Sequence, residues 1–588
     1  MTSESYDVLI IGAGFSGLYA LYKFRTAGLR VRIFEAGDDI GGVWHWNRYP
    51  GARVDSEWPL YQLSVPDVWR DFNFSQRFPD HNEIRRYFAH VDRVLELKKD
   101  IQFQARVHSA TWDDDTAIWT IRSESGHIAV ARHLCLFTGL LHRAHKPDFP
   151  GLDIYQGQII HSSAWPDSLD LSGKKVAVIG TGATGVQIIQ ELSKQVNQLT
   201  VFLRRPSTCF PMGNRPLTTA ENDAWRPYFH VMHSAARNSH GGFPSVPPTR
   251  EINDITIEEL EAFFEEIWQA GGFNFFSRNF PSAFVDRDAN RIVYDFWARK
   301  VRERIQDPVK RDLMAPLEPV YPILTRRTPL EQDFYESIDR KNVEVVGLRS
   351  TPISTFTEKG VRTDDGMLRE FDYLVMATGF DSFTGSISEM NIQGRNGANL
   401  NQIWKEGVRT YLGMTVHGFP NCFLSYSPHA PTPLSNGPTI LQCQVDFIVD
   451  AITKMEKDNL RSIEPTVEAE TQWRETILNA AEKTLFLETD SWWIAANIPG
   501  KKKEMLTYLG GINQYEKECR ETLDKWTGFV VREEKIKSNS KPEEGNGVSG
   551  ESKDGEGVEG GMKNVKRRNR SSLSGLAAFL KEKLTVGH

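Results

Sequence analysis

The chain carries one glycine-rich pattern twice, and each copy stands between a short apolar run and a stretch typical of a helix. In the first copy, GAGFSG, three glycines at positions 12, 14 and 17 follow directly on the apolar residues 6–11. Gly12 permits a tight turn, Gly14 a close approach of the backbone to a pyrophosphate, and Gly17 close packing of the helix on the strand. The N-terminus of the helix offers free N–H groups to phosphate oxygens. The pattern predicts a βαβ unit of the Rossmann type that binds a dinucleotide.

The residues after the first copy complete this unit. A helix is predicted over 16–27 with Gly28 as its C-terminal cap, and LRVRIF forms the next strand. Glu35 stands at the end of that strand, where a carboxylate can accept a hydrogen bond from a ribose hydroxyl. A glycine-rich turn in an unrelated α/β fold is the alternative. The order of strand, glycines, helix, strand and acid favours the dinucleotide site, with the ribose acid expected for FAD.

The second copy, GTGATG, differs from the first where the acid would stand. Gly180, Gly182 and Gly185 again follow an apolar run, and a helix to about residue 194 and the strand QLTVFL come next. Arg204 and Arg205 then replace the acid. Guanidinium groups bind a 2′-phosphate that an acid would repel, so this site predicts NADPH rather than NADH. Two arginines at a solvated strand end are the alternative.

The loop of residues 41–58 is unusually rich in tryptophan. It contains Trp44, Trp46 and Trp58 together with arginines and Asp55. Aromatic rings beside an ion pair suit a flat, conjugated ligand. A surface loop held to the core by its tryptophans has the same composition, and composition alone favours that second interpretation.

Helix and strand are mixed between the two copies. A helix is predicted over 78–94 with Asn82 as its N-cap, a hairpin turns at 113–115, and a buried strand ends at Gly139. Beyond the second copy, residues 206–320 are helical and rich in aromatic side chains. This stretch predicts an insertion that caps a cleft, and most of its aromatic rings are expected in the core.

Two later strands are expected to return to the nucleotide sites. The stretch 320–346 ends in a strand that can rejoin the second nucleotide domain. The stretch 371–381 predicts a buried strand that ends at Thr378 and Gly379, whose backbone can approach a cofactor. Mixed strand and helix follow to about residue 534.

Composition excludes several classes of function. The net charge of −7 and the pI near 6.2 argue against nucleic acid as the main partner. The five cysteines form no CxxC pair, so neither a disulfide framework nor a metal site is predicted. No apolar stretch of about 18 residues suggests a membrane span, and no signal peptide is expected, so a cytoplasmic location is predicted. The last residues, 535–588, predict a disordered tail with a short basic amphipathic segment that could associate weakly with a membrane surface.

These observations predict an α/β fold with two Rossmann-like dinucleotide-binding domains, one for FAD and one for NADP, a helical insertion and a disordered C-terminal tail. Two dinucleotides on one chain imply electron transfer between them, and without a CxxC pair the electrons could go to oxygen. The expected segments are 1–150 and 369–534 for the FAD domain, 151–215 and 320–368 for the NADP domain, 216–319 for the insertion and 535–588 for the tail.

A further motif links the two copies to a known family. It reads Tyr155-x-Gly157-x-x-x-His161-x-x-x-Trp165-Pro166. Together with GAGFSG, GTGATG, ATGFD, WNRYPGARVD and NIPGK, it resembles the class B flavoprotein monooxygenases, and within them the type I Baeyer–Villiger monooxygenases. The resemblance covers roughly residues 5–530. Tyr155 departs from the phenylalanine of the family pattern but keeps the ring, and Trp165-Pro166 separates this branch from the amine- and sulfur-oxidising enzymes.

The resemblance implies which residues hold the two cofactors. FAD would lie on Gly12, Gly14, Ser16, Gly17, Glu35, Val43, Trp44, His45, Trp46, Arg53, Val54, Asp55, Tyr61 and Val107. NADPH would lie on Gly180, Thr181, Gly182, Ala183, Thr184, Gly185, Val186, Gln187, Arg204, Arg205, Arg326 and Trp492.

The resemblance also implies the reaction. A peroxide of the reduced flavin attacks a ketone, and the tetrahedral adduct rearranges to an ester or lactone, with a bulky or cyclic ketone expected. Arg327 is implied as the catalytic arginine, in a register where Arg326 is easily mistaken for it, and Asp55 as its partner. His161 is expected to act as a hinge residue, and a hydrogen-bonded linker histidine without a function is the alternative. The insertion and residues 427–436 are expected to line the pocket.

Other functions stay open at this point. N- or S-oxygenation differs by its amine or sulfide substrates. An NADPH-dependent flavin reductase or oxidase would release hydrogen peroxide and oxygenate no organic substrate. A non-catalytic binding protein on the same fold is disfavoured by intact motifs at both nucleotide sites.

Overall fold

The computed structural model of the chain describes residues 4–533, and the predicted tail over 535–588 lies outside them. The described residues form twenty strands and seventeen α-helices. The strands are β1 (Glu4–Ile11), β2 (Val31–Phe34), β3 (Ile101–Gln102), β4 (Val107–Asp113), β5 (Ile118–Ser123), β6 (Ile128–Leu136), β7 (Gln158–His161), β8 (Lys175–Ile179), β9 (Gln198–Leu203), β10 (Phe210–Pro211), β11 (Leu330–Glu331), β12 (Val343–Gly347), β13 (Ile353–Thr357), β14 (Gly360–Thr363), β15 (Leu368–Glu370), β16 (Tyr373–Met376), β17 (Asn391–Gln393), β18 (Cys422–Leu424), β19 (Leu460–Pro465) and β20 (Phe529–Glu533).

The helices follow in chain order and are joined in places by short 3₁₀ turns. They are α1 (Phe15–Thr26), α2 (Val43–Trp46), α3 (Pro66–Trp69), α4 (His81–Leu95), α5 (Ala183–Leu192), α6 (Thr219–Trp225), α7 (Phe229–Arg237), α8 (Ile257–Gln269), α9 (Asn274–Ser277), α10 (Arg287–Arg302), α11 (Pro308–Met314), α12 (Phe334–Asp339), α13 (Gly385–Ser388), α14 (Leu400–Ile403), α15 (Gly437–Lys457), α16 (Val467–Glu482) and α17 (Gly511–Lys525).

The first glycine-rich copy follows the central part of an eight-stranded sheet. The strand order is β17-β4-β5-β6-β1-β2-β3, and β18 pairs with β6. Strand β1 runs parallel to both β2 and β6, so Ile10 lies opposite Ile33 and Cys135. A strand covered on both faces by other elements is apolar without alternation, and the last four residues of β1 are buried.

The second copy follows the central strand of a five-stranded parallel sheet with the order β12-β9-β8-β16-β7. Val178 of β8 lies opposite Val201 and Val375. The expectation that the strand after residue 340 rejoins this sheet is confirmed, because β12 pairs with β9.

The predicted boundary between residues 368 and 369 is wrong. It assigned the strand of residues 373–376 to the FAD domain, but β16 lies between β8 and β7 in the second sheet. A parallel strand of four apolar residues fits the interior of either sheet, so its sequence does not predict which of the two sheets it joins.

Residues 219–314 form six helices whose aromatic side chains pack on one another. The rings of Phe275 and Phe296 stack at 5.6 Å, and Trp268 packs edge-on against Phe275 at 5.4 Å. Helix α8 begins with a capping box between Thr256 and Glu259. The expectation that most aromatic rings of this stretch belong to the core is confirmed.

The predicted N-cap of the helix near residue 80 is wrong. Asp80, not Asn82, precedes α4, and its carboxylate accepts from the backbone N–H of Glu83. Both residue types are good caps, and they stand two positions apart, so propensity alone does not separate them. All five cysteines are buried and unpaired. Between residues 4 and 533, no helix is both long and apolar enough to cross a bilayer.

Candidate functional site

Both glycine-rich copies open onto one large cavity of about 1510 Å³. The loop of residues 41–58 forms part of its wall, and so do segments of the chain near residues 426–441 and 490–503. The carboxyl ends of β1 and β8 meet this cavity, which is where parallel α/β sheets bind their ligands.

The first copy holds its helix and strand closer than any side chain allows. A Cβ on Gly17 would lie 1.9 Å from the carbonyl oxygen of Gly12. Gly12 has φ +108°, and its Cβ would lie 2.5 Å from the carbonyl oxygen of Phe137. Gly14 caps α1 without any side-chain hydrogen bond, so the first N–H groups of that helix face the cavity free to bind a phosphate. This backbone fits the pyrophosphate of a dinucleotide.

Glu35 is buried at the end of β2 and forms part of the cavity wall. Its carboxylate accepts from the backbone N–H of Ala13 at 2.6 Å and of Gly37 at 2.7 Å. Each carboxylate oxygen has a second lone pair, so the fixed group can also accept from a ribose hydroxyl. The residues around the first copy therefore fit FAD.

The second copy repeats the backbone geometry of the first. Gly180 also has φ +108°, and its Cβ would lie 2.5 Å from the carbonyl oxygen of Ala377. A Cβ on Gly185 would lie 2.2 Å from the carbonyl oxygen of Gly180. A Cβ on Gly182 would meet nothing within 4 Å and would fill space in front of the N-terminus of α5. This space fits a second pyrophosphate.

Three arginines, Arg204, Arg205 and Arg326, line the cavity beyond the second copy. Burial lowers the pKa of Arg204, and the positive charges of Arg205 and Arg326 lower it further. Arg205 donates from Nη2 to Asp490 at 2.8 Å, whereas its buried Nη1 has no hydrogen-bond partner within residues 4–533. Hydrogen bonds from Arg205 and Lys503 lower the pKa of Asp490 to about 2. Crowded cations with an unused buried donor fit a phosphate group such as the 2′-phosphate of NADPH.

Asp55 and Arg327 form an ion pair in the wall of the same cavity. Arg327 donates to one carboxylate oxygen of Asp55 from Nη2 and, at 3.2 Å, from Nε. Its Nη1 lies 3.3 Å from the carbonyl oxygen of Pro433, and its guanidinium lies 5.6 Å from the centre of the Phe273 ring. Burial alone would lower the pKa of Arg327, but Asp55 and the nearby Tyr426 raise it overall. The predicted pair is present, and its guanidinium group keeps its positive charge at the cavity wall.

The tryptophan-rich loop contributes both to the cavity wall and to the packing behind it. Trp44 and Trp46 line the cavity, and the indole N–H of Trp44 donates to the hydroxyl of Tyr61 at 3.0 Å. Trp58 instead packs edge-on against Phe229 at 5.9 Å and does not line the cavity.

Most residues predicted for the site lie in the cavity wall. They are Gly12, Gly14, Ser16, Glu35, Val43, Trp44, Trp46, Arg53, Val54, Asp55, Tyr61, Val107, Gly180, Thr181, Gly182, Ala183, Thr184, Gln187, Arg204, Arg205, Arg326, Arg327 and Trp492. Four others lie behind it: Gly17, His45, Gly185 and Val186.

The four residues behind the wall belong to the packing of the two nucleotide-binding units and of the loop of residues 41–58. Gly17 and Gly185 set the packing of helix on strand, and Val186 is fully buried in the core. His45 is buried, lies 3.2 Å from Asp38, and has a pKa lowered by burial and by Arg48.

The stretches expected to line the substrate pocket contribute little to this cavity, and their place in the pocket stays a prediction. No residue of the insertion 216–319 lines the cavity, although Phe273 reaches Arg327. Of residues 427–436 only Ser435 lines it, because this stretch is mostly buried behind the wall.

Several residues of the cavity wall are not predicted from the sequence. They include Tyr49, Lys146, Tyr426, Asp490 and Lys501. Lys501 belongs to the NIPGK motif, which was the only signal for it. The Tyr49 hydroxyl donates to the side chain of Gln187 at 2.9 Å and so connects the loop of residues 41–58 to α5. No local sequence pattern predicts this contact.

The segment before the second copy lies outside the cavity wall. His161 ends β7, bonds through Nδ1 to the Ser163 hydroxyl at 2.8 Å, and has a pKa lowered by burial. The Tyr155 hydroxyl donates to the carbonyl oxygen of Phe371 at 3.0 Å. Asp167, expected as a turn or cap acid, pairs with Arg48 at 3.0 Å. A hinge function of His161 stays a prediction.

Comparison with known proteins agrees with two nucleotide sites. The family model described as flavin-binding monooxygenase-like matches residues 5–212. The chain is 40% identical over 526 residues to the FAD-binding monooxygenase acrE of Aspergillus aculeatus, with 89% of each chain covered. It is 37% identical over 531 residues to cyclopentanone 1,2-monooxygenase of Comamonas sp., with 90% of this chain and 96% of that protein covered. The crystal structure of cyclohexanone monooxygenase from Rhodococcus sp. Phi1 bound to NADP+ matches with a TM-score of 0.87 at 36% identity, over 91% of this chain and 100% of that one.

Proposed function

The chain belongs to the Baeyer–Villiger monooxygenases, and from this premise we propose which of its residues carry the reaction. The enzyme uses FAD and NADPH and inserts one oxygen atom of O2 next to a ketone carbonyl, which gives an ester or lactone. When bound, NADPH supplies a hydride and FAD supplies the activated oxygen that is transferred. The tasks left to the protein are to bind both cofactors, to exclude water and to stabilise the charge that forms on the substrate.

FAD is proposed to bind the first glycine-rich copy and NADPH the second. The free N–H groups at the start of α1 and α5 would each hold a pyrophosphate, because a helix N-terminus attracts anions. Glu35 would accept from the FAD ribose, and the Arg205 Nη1 that lacks a partner within residues 4–533 would donate to the 2′-phosphate of NADPH. Asp490 holds Arg205 in place for this contact.

Arg327 is proposed as the residue that stabilises the anionic reaction centre. It keeps its proton at any working pH, and Asp55 raises its pKa further. Asp55 holds Nε and Nη2, and the Pro433 carbonyl holds Nη1, so the guanidinium plane is fixed before substrate binds. A preorganised cation in a site that excludes water stabilises developing negative charge on the ketone oxygen. The Asp55–Arg327 pair in the shared cavity is the observation that carries the proposal.

A cyclic or bulky ketone is the proposed substrate class. The names of cyclopentanone 1,2-monooxygenase and of cyclohexanone monooxygenase give cyclic ketones as substrates of those relatives. In this chain the cavity wall contains Tyr426, which lies near Arg327, and also Leu441 and Trp492, so it offers apolar and aromatic surface to a ring.

The domain limits are proposed with the corrected boundary. The FAD domain would consist of residues 1–150 and 377–534, and the NADP domain of residues 151–215 and 320–376. The sheet order supports this division, because β7, β8, β9, β12 and β16 share one sheet. A cytoplasmic location stays a prediction from the sequence.

Replacement of Arg327 tests the proposed function. In Arg327→Ala we expect NADPH to reduce the flavin and oxygen to be consumed, while ester formation falls by about 100-fold to 1000-fold, the usual loss when a group that stabilises an oxyanion is removed. The oxygen then leaves as hydrogen peroxide. Stopped-flow absorbance of the flavin, an oxygen electrode and gas chromatography of products measure the three quantities.

Arg291→Ala is the matched control, because Arg291 pairs with Asp295 and Glu318 at the surface and should leave all three quantities unchanged. Wild-type enzyme is offered cyclic and polycyclic ketones, an amine and a sulfide. Ester from ketones and a normal ester yield from Arg327→Ala together would refute the role of Arg327. The proposed substrate class would be overturned if only the amine or the sulfide were oxygenated. It would also be overturned if every compound gave only hydrogen peroxide.

A further inference from the structure

Tyr426 is held at the cavity by an unusual backbone conformation. It follows β18 and has φ +53°, in the left-handed region that residues with a side chain rarely adopt. Its N–H donates to the side-chain oxygen of Gln444 at 2.7 Å, and Gln444 donates in turn to Tyr515 at 3.2 Å. The neighbouring Ser425 hydroxyl bonds to Ser16 of α1 at 3.1 Å. Strained residues held by surrounding contacts concentrate at functional sites.

The hydroxyl of Tyr426 is available to a ligand in the cavity. Tyr426 lines the cavity, and no residue between 4 and 533 accepts or donates a hydrogen bond at its hydroxyl. Tyr61, its neighbour in the wall, accepts from the indole N–H of Trp44, whereas no such contact from residues 4–533 engages the Tyr426 hydroxyl. A Cβ on Gly437 would stand 3.4 Å from the Tyr426 oxygen, so the glycine leaves room beside the hydroxyl.

Most of the hydrogen-bond donors of Arg327 are already engaged by other residues. Two of its nitrogens donate to Asp55, and the third lies against the Pro433 carbonyl, so only part of its donor edge is free for a substrate. Tyr426 lies near enough that the charge of Arg327 lowers its pKa, but burial has the larger effect and raises it. The phenol therefore keeps its proton and is a donor throughout the range in which the enzyme works.

We propose that Tyr426 is a second catalytic residue, whose hydroxyl donates a hydrogen bond to the oxygen of the bound ketone beside Arg327. The inference rests on the proposed Baeyer–Villiger function of the cavity. Negative charge grows on that oxygen when the carbonyl is attacked, so a fixed donor stabilises the transition state more than the ground state. No proton is transferred from the phenol, and the bond is made and released with the substrate.

Tyr426→Phe removes only the hydroxyl and tests the proposal. We expect the rate of flavin reduction by NADPH to stay within about twofold. Ester formation per enzyme should fall by about 10-fold to 100-fold, the size expected when a hydrogen bond to a developing charge is lost. Hydrogen peroxide should rise to the same extent. The ketone is the one that the wild type converts best among cyclopentanone, cyclohexanone and a steroid ketone.

A binding measurement separates contact with the substrate from a general structural defect. Oxidised enzyme with NADP+ does not turn over, so the dissociation constant of the same ketone can be measured by calorimetry. It should rise about threefold to tenfold in Tyr426→Phe, while FAD content and melting temperature stay as in the wild type. Tyr294→Phe is the control, because Tyr294 is buried and bonds to the Pro316 carbonyl outside the cavity.

The outcomes distinguish the two proposals. Equal ester rates and equal ketone affinity in wild type and Tyr426→Phe would overturn the role of Tyr426 and leave the proposed function intact. Absence of ester from wild-type enzyme with all three ketones would overturn both. A parallel loss of flavin reduction would show that the hydroxyl serves the cofactor sites instead, and would also overturn the proposal.

Discussion

The two glycine-rich copies have the same backbone geometry but side chains of opposite charge at the end of the next strand. Gly12 and Gly180 share φ +108°, and a Cβ on either would lie 2.5 Å from a carbonyl oxygen of a neighbouring strand end. Gly17 and Gly185 each approach the turn of their own copy within a distance that excludes any side chain. The frame that offers N–H groups to a pyrophosphate is therefore the same in both.

The difference lies at the end of the next strand. Glu35 is buried and held by two backbone N–H groups, whereas Arg205 is held by one carboxylate and keeps a donor that no residue of the described chain uses. The shared frame recognises what all dinucleotides have in common. The group at the strand end is proposed to recognise what distinguishes a ribose hydroxyl from a ribose phosphate.

Replacement of the third glycine in each copy should have the largest effect. In Gly17→Ala the methyl group would overlap the Gly12 carbonyl, so helix and strand must separate, at a cost of at least about 3 kcal/mol. We expect the protein to lose its FAD. Gly185→Ala should keep FAD and lose saturation by NADPH. The flavin-to-protein absorbance ratio and the NADPH concentration dependence of flavin reduction measure the two effects.

Gly182→Ala is the matched control for this pair. Its Cβ would meet no protein atom within 4 Å, so the melting temperature should stay unchanged while the methyl group fills the space for a phosphate. An unaltered FAD content in Gly17→Ala would contradict the packing described for the first copy.

Arg205→Ala tests the chemical difference and should have an intermediate effect. Loss of a charge-assisted donor should raise the KM for NADPH by about 10-fold to 100-fold. The KM for NADH, which lacks the 2′-phosphate, should change by less than about threefold. Steady-state kinetics with both coenzymes in one preparation provides the control. An equal rise in the KM for NADPH and for NADH would show that Arg205 binds a part that the two coenzymes share.

Tyr155→Phe should have the smallest effect. It removes the hydrogen bond to the Phe371 carbonyl in the segment before the second copy, a segment without a counterpart before the first. The expected loss is about 1 kcal/mol, or a fall of about 2 °C in melting temperature, with no change in the KM for NADPH. Scanning calorimetry measures the first quantity. A changed KM would instead connect this segment to coenzyme binding.

Local patterns predicted those features that depend on a few neighbouring residues. Each glycine copy could be located together with its strands and its helix. The tight turn, the approach to the phosphate and the packing of the helix all depend on residues of one βαβ unit. The N-cap of α4 could not be decided, because Asp80 and Asn82 have nearly equal preference and only the observed bond to Glu83 separates them.

Features that depend on distant segments could not be predicted in this way. The membership of β16 in the second sheet depends on contacts with β7 and β8, far away in sequence. The position of Tyr426 beside Arg327 likewise depends on packing of the turn after β18 against α1 and α15. The pairing of Asp55 with Arg327 was expected only from the family resemblance, since no spacing rule connects the two positions.

The unused Nη1 of Arg205 has a consequence for folding. A buried donor without an acceptor destabilises the folded protein, and a phosphate that accepts from it removes this penalty. Through the proposed contact with Arg205, bound NADPH would therefore also stabilise the fold. At 100 times its dissociation constant a ligand adds about 2.7 kcal/mol to the free energy of unfolding, so saturating NADPH would raise the stability of the enzyme by about that amount.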